Sequence, residues 1–219
     1  MPSTPSTEPA VAGGGVRSVD DARRFVEQVG LCLIFNETGR VRLPSLWDVV
    51  DAPDRQPGER GFGERVSLVW RLKDELPMSY PDEIFYGKLR GGRAMLCTLD
   101  RLGELYRRQH VAPDEVSRDA QRLLHVIGAR PITNRELRAE AGFEGSGAAA
   151  RFNRALQELQ VALLIARVDV DPDTWFLFDS AHPGVAGNAR PGAQRDITDP
   201  PANDGVGHRI VPVDLSPAG

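Results

Sequence analysis

Only two cysteines occur in the 219 residues, Cys32 and Cys97, and both stand in apolar stretches. That excludes a disulfide framework, and no Cys/His cluster has zinc spacing, so neither a metal nor another cofactor is expected. Two buried free thiols are the expected state. Lysine is almost absent: apart from Lys73 and Lys88, every basic residue is arginine. In such an arginine-rich chain the two lysines mark places where a compact ammonium suits better than a planar fork. Aromatics make up 6% of the chain. No apolar run reaches the roughly 20 residues that span a bilayer, so no membrane partner is expected. The first residues lack a basic start followed by an apolar run, which argues against a secretory leader and for a cytoplasmic protein. The net charge of −4 excludes a uniformly basic nucleic-acid binder.

What is present divides the chain. Residues 1–16 are mostly Pro, Ser, Thr, Ala and Gly, and residues 181–219 are rich in Pro, Gly, Asp and Asn. Neither stretch has enough apolar surface to offset ordering entropy, so both are expected to be disordered tails. Between them the pattern predicts an α+β, mostly helical chain. Its two units are expected at 17–110, with a linking helix, and at 117–180.

The second unit reads most clearly. Ser117 caps a helix that carries Ala120, Leu123, Leu124 and Ile127 on one face, and Gly128 suits a left-handed stop. Thr133-Asn134-Arg135-Glu136 is a capping box for a short helix bearing Leu137. Ser146 is placed to cap a third helix with Phe152, Leu156 and Leu159 inward. Arg151, Arg154 and Gln157 lie off that stripe and are expected to face out. Leu164, Ala166, Val168 and Val170 alternate as a half-buried strand does. Asp171-Pro172-Asp173 is turn chemistry, and Trp175–Phe178 form the returning strand. Helix, link, helix, helix and hairpin in this order make a winged helix.

Residues 18–109 repeat the layout with longer connections. Ser18 and Asp21 open a helix with Ala22, Phe25, Val26 and Val29 inward, ended by Gly30. Leu31–Phe35 is a buried extended run, and Asn36-Glu37-Thr38-Gly39 is a turn. Pro44 and Ser45 start a short helix, and 51–62 is a polar loop. Glu64–Glu75 is a helix expected to stop before Pro77. Ile84–Leu89 and Ala94–Thr98 flank Arg90-Gly91-Gly92-Arg93, a hairpin signal. Thr98 then caps a helix with Leu99, Leu102, Leu105 and Tyr106.

Several strings in this region are distinctive: Leu43-Pro44-Ser45-Leu46-Trp47, Trp70-Arg71-Leu72-Lys73-Asp74-Glu75-Leu76-Pro77, Phe85-Tyr86-Gly87-Lys88, and Arg151-Phe152-Asn153-Arg154-Ala155-Leu156. Together they resemble the short AlkZ-related proteins, which are similar to the AlkZ/YcaQ DNA glycosylases. The resemblance spans about 18–180. It implies tandem winged helices forming a basic, concave DNA-binding surface, and a place in DNA repair. The catalytic glycosylases carry Gln-x-Gln or Gln-x-Asp with an apolar middle residue. The one Gln-x-Asp here is Gln194-Arg195-Asp196, in the expected tail with arginine in the middle. No catalytic residue therefore transfers. If the chain is an enzyme, it is a monofunctional glycosylase using other polar groups.

The candidate DNA contacts fall in two places. Lys88, Arg90 and Arg93 surround the Gly-Gly turn, where backbone and cations approach a phosphate together. The bland alternative is an ordinary exposed hairpin tip. Arg151 and Arg154, with Arg138 on the preceding helix, suit a recognition helix or simply a solvated face. The wing carries Asp169, Asp171 and Asp173, which repel phosphate and favour a protein partner instead. Such a module, or a transcriptional regulator, is the alternative to a DNA-repair role. Lys73-Asp74-Glu75 reads as local ion pairs at a helix end or as a tuned catalytic cluster. Trp47, Trp70 and Trp175 sit on apolar stripes and are expected in the core rather than stacked on bases. His110 and His125 have no spaced partners and read as structural.

Overall fold

The computed structural model describes residues 15–36, 43–55, 60–128 and 130–189, of which about half are helical. The elements are α1 (Val19–Val29), β1 (Leu31–Leu33), α2 (Leu46–Val49), α3 (Glu64–Ser79), β2 (Ile84–Leu89), β3 (Arg93–Thr98) and α4 (Leu99–Gln109). They continue as α5 (Arg118–Ile127), β4 (Ile132–Thr133), α6 (Asn134–Glu140), α7 (Ala148–Val161), β5 (Ile165–Val170), β6 (Asp173–Leu177), α8 (Phe178–Ala181) and α9 (Pro183–Ala189). The class is α+β, with helices predominating over two small three-stranded antiparallel sheets.

The two halves repeat one topology. Each runs helix, strand, helix, helix, strand, strand, and each closes a three-stranded antiparallel sheet. The strand order is β1-β3-β2 in the first half and β4-β6-β5 in the second. Each half has one helix opened by a capping box, the first helix in one and the second in the other. Ser18 and Asp21 form a capping box at α1, and Thr133 and Glu136 form another at α6. The Ser18 hydroxyl, then the Arg17 and Ser18 amides, hold the Asp21 carboxyl below its usual range. Glu136 is held low first by the Thr133 amide.

Three apolar cores follow from this repetition. One lies inside the first half, around Phe25, Leu46, Leu72 and Leu96. A second lies inside the other half, around Leu123, Phe152, Leu159 and Trp175. The third joins them: Leu33, Phe85, Leu89 and Cys97 from the first sheet meet Leu102 and Tyr106 of α4, Leu163, Ala166 and Phe178. His110 stacks on Tyr106 at 4.3 Å in this seam. Burial leaves both cysteines as free thiols and pushes the Cys32 thiol up to about 12. The Cys97 thiol is raised for the same reason.

Several local expectations give way to tertiary packing. Helix α3 runs through Pro77 to Ser79; Tyr80 N–H still reaches the Leu76 carbonyl at 3.0 Å, so the ring costs one bond in the last turn. Gly128 is right-handed (φ −58°), because its amide simply continues the α5 ladder to Leu124. The residue before α7 is Gly147 in the left-handed region (φ 75°), not Ser146. Leu164, Ile165 and Ala166 are all buried, and a bulge follows between Arg167 and Asp169. The alternation fails there because Leu164 and Ile165 feed the second core while Ala166 feeds the seam. Phe178 leaves the returning strand to begin α8.

The boundaries move as well. Val16 is buried and bridges to Val50, although it closes the expected N-terminal tail. Within the expected C-terminal tail, α9 packs against α4 and buries Val185 and Ala186. The expected turn at 36–39 falls mostly outside the described residues, as do Gln194–Asp196. Among the described residues no helix is long and apolar enough to cross a membrane. Nor does any group of three or more His, Cys, Asp or Glu side chains among them stand where it could hold a metal ion.

Candidate nucleic-acid interface

The hairpin tip is not a free tip. It docks on α7, the helix carrying Arg151 and Arg154. The backbone amide of Lys88 donates to Gln160 Oε1 (3.3 Å), and its ammonium donates to Gln157 Oε1 (3.2 Å). Gly92 has a φ of +71°, which favours glycine, and a Cβ there would lie 2.1 Å from Gln157 Nε2 and displace that amide. Gln157 therefore turns toward the hairpin, not out to solvent. Arg154 precedes Gln157 by three residues, so it occupies the same side of α7 one turn earlier. The turn holding Arg90, Gly91 and Gly92, with exposed Arg93 beside it, is thereby set next to Arg154 along one helix.

Arg151 and Arg154 line a groove of about 330 Å³ with Ser117, Arg118 and Asp119 at the start of α5. The Arg151 guanidinium grips Asp119 with two bonds of 2.9 Å, which holds the Asp119 carboxyl below its usual range. This pair is solvent-exposed, so its net contribution is small and a phosphate can compete for the fork. Arg122 and Arg151 also stand over the Phe143 ring, at 4.3 and 5.5 Å. Arg138 lies apart from this groove, donating to the Phe143 carbonyl at 3.3 Å. Five of the six candidate contacts thus gather along α7 and its docked hairpin, and Arg138 braces the turn before that helix.

A polar chain crosses the open side of the seam. Lys73 donates to Asp74 (2.6 Å), and Asp74 accepts from Arg167 (2.9 Å). Arg167 also reaches Asp173 (3.2 Å), which accepts from Asn134 (3.3 Å). Asn134 in turn accepts from Trp175 Nε1 (2.7 Å). The Lys73 ammonium sits 5.1 Å from the Trp70 ring centroid and 5.0 Å from that of Tyr86. Arg167 stacks on the same Tyr86 ring at 4.3 Å. Burial raises the Tyr86 phenol pKa, with the Arg167 charge opposing. Lys73 and Asp74 are thus mid-helix parts of a bridge between halves, not a helix stop.

The contacts across the seam are reciprocal. The third helix of each half, α3 or α7, touches the first hairpin strand of the other, β5 or β2. Tyr86 and Arg167, each third in its strand, meet face to face.

The turn carboxylates stay at the surface, with Asp169 and Asp171 exposed and Asp173 partly so. Asp169 accepts from the Val170 (2.6 Å) and Asp171 (3.3 Å) amides, and Asp173 is held by Arg167 and Asn134. Trp175 is buried and Trp47 partly so, but Trp70 is 51% exposed. On α3 the core stripe is Val69, Leu72 and Leu76, and Trp70 lies one position off it. The periodicity of the sequence contained that signal.

Against known proteins, a family model described as AlkZ related matches residues 16–174. No curated protein and no solved structure matches.

Proposed function

The chain belongs to the AlkZ-related family, and on that premise we propose that it is a DNA-binding protein made of two winged-helix units, 17–110 and 117–180. The repeated helix–strand–helix–helix–strand–strand order supports the winged-helix reading. One observation carries the DNA reading: the basic hairpin of the first unit is fixed on the third helix of the second. Lys88, Arg93, Arg151 and Arg154 then form one interrupted basic strip on a rigid support. Lys88 positions the hairpin through Gln157, while Arg93 and Arg154 meet phosphate. Arg151 joins them by exchanging Asp119 for a phosphate oxygen.

The role we assign is recognition of DNA in a repair setting, without base excision. No Gln-x-Gln or Gln-x-Asp lies among residues 18–180. The test is binding of the purified chain to labelled duplex DNA at rising salt, followed by assays for release of alkylated bases. We expect an affinity that falls steeply with salt and no released base. Absence of binding at low salt would remove the DNA reading. Base release would make the protein a glycosylase.

A second reading, a protein-docking module, draws on the Asp119 carboxylate that already fills the Arg151 fork. It predicts no salt-dependent DNA binding at all.

A further inference from the structure

We propose that Phe35 and Trp70 form a shelf that stacks an unstacked nucleobase. The ligand class rests on the DNA reading above, but the site uses different residues. Among the described residues, every large apolar side chain more than about a third exposed belongs to the first half: Phe35, Phe62, Trp70 and Met78. Phe35 and Trp70 have ring centroids 6.5 Å apart and are tilted by 56°, so the indole offers the stacking face and the phenyl ring its side wall; Phe35 rests on Trp47 at 5.7 Å. The fold does not require an indole there. Aligning the buried stripe Val69-Leu72-Lys73-Leu76 with Phe152-Ala155-Leu156-Leu159 places Trp70 where α7 has Asn153, which is exposed and polar. An exposed tryptophan at a position that tolerates asparagine points to a ligand.

The shelf's rim selects the kind of ligand. Asp74, one helical turn beyond Trp70, presents a partly exposed carboxylate suited to an exocyclic amino group. The Asn36–Asp48 pair (3.2 Å) borders the Phe35 side. Lys73 adds a cation beneath the indole. A helix from a protein partner needs a continuous apolar groove. One indole and one phenyl ring bounded by carboxylates, an amide and an ammonium instead suit a single flat heteroaromatic with a hydrogen-bonding edge.

The experiment uses the full chain and three DNAs: a paired duplex, the same duplex with one unpaired base, and a single strand. Affinity and tryptophan quenching are read for the natural protein, Trp70→Ala and Trp70→Phe, with melting curves to check folding. The natural protein should favour the unpaired base over the paired duplex by on the order of 10-fold. Trp70→Ala should erase that preference and leave paired-duplex affinity unchanged, and Trp70→Phe should restore part of it. If Trp70→Ala keeps the preference, or none exists while paired duplex binds, the shelf is overturned and the DNA reading stands. Trp70-dependent binding of the single strand without duplex binding would do the reverse. Binding to none of the three would overturn both.

Discussion

On α3 the solvent-facing turn carries Trp70 and Arg71; on α7 the matching turn carries Asn153 and Arg154. The two helices hold the same place in the same topology and share the arginine, yet one shows an indole where the other shows an amide. Their hairpins differ as well. The first half's hairpin carries Lys88, Arg90 and Arg93 and lies down on α7. The second half's hairpin turns at Asp171-Pro172, with Asp169 on its own amides, Asp173 on Arg167 and Asp171 exposed. A repeated fold thus fixes where side chains go without fixing what they recognise. The reciprocal seam then sets the two surfaces in one relation to each other.

The largest disruption of this relation should come from the seam core. Phe178 is fully buried where both halves meet, so Phe178→Ala should cost about 3–5 kcal/mol. Denaturant unfolding would read it, and a loss below about 1 kcal/mol would mean the halves stand independently. Next is Arg167→Met, which leaves Asp74 and Asp173 without their shared cation. Because both carboxylates are partly exposed, the expected loss is about 2 kcal/mol rather than that of a fully buried pair. A double-mutant cycle with Asp74→Asn should show coupling, and strict additivity would refute the bridge.

The capping boxes compare the halves at smaller scale. Ser18→Ala and Thr133→Ala should each cost about 1 kcal/mol in thermal unfolding. Their partners Asp21 and Glu136 have pKa values depressed by folding, from ordinary values of 3.8 and 4.5. The stability they contribute is complete above those values and is lost as pH falls through the lower folded ones. Acid titration of each alanine variant should therefore flatten its own part of the low-pH limb. The smallest effect belongs to His182, packed against Phe85 and Phe178. Burial lowers its pKa from 6.5, so unfolding takes up a proton and stability falls as pH drops below about 6.5. His182→Gln should remove that slope, and a slope that persists would place its origin elsewhere.

Local chemistry made most elements readable from the sequence. Capping boxes, apolar stripes and the Gly-Gly turn each act within a few residues, and they located α1, α4, α5, α6 and both hairpins. The site was less legible because its defining bonds are long-range. Lys88 meets Gln160 across 72 residues, and Asp74 meets Arg167 across 93. Neither leaves a periodic trace, so Lys73-Asp74 resembled a helix end and Gln157 a solvated position. The double coverage of β5 likewise hid its burial from a period-2 reading. Trp70 differs: assigned to an apolar stripe with Val69 and Leu72, it lies one position off the buried one and is half exposed.

If one basic strip serves both halves, duplex DNA affinity must follow salt through it. Affinity would be measured across a salt series for the natural chain and for Arg93→Ala/Arg154→Ala. The double variant should bind every sequence more weakly, with the slope of log affinity against log salt shallower by about two. An unchanged slope, or no binding by the natural chain at low salt, would contradict it.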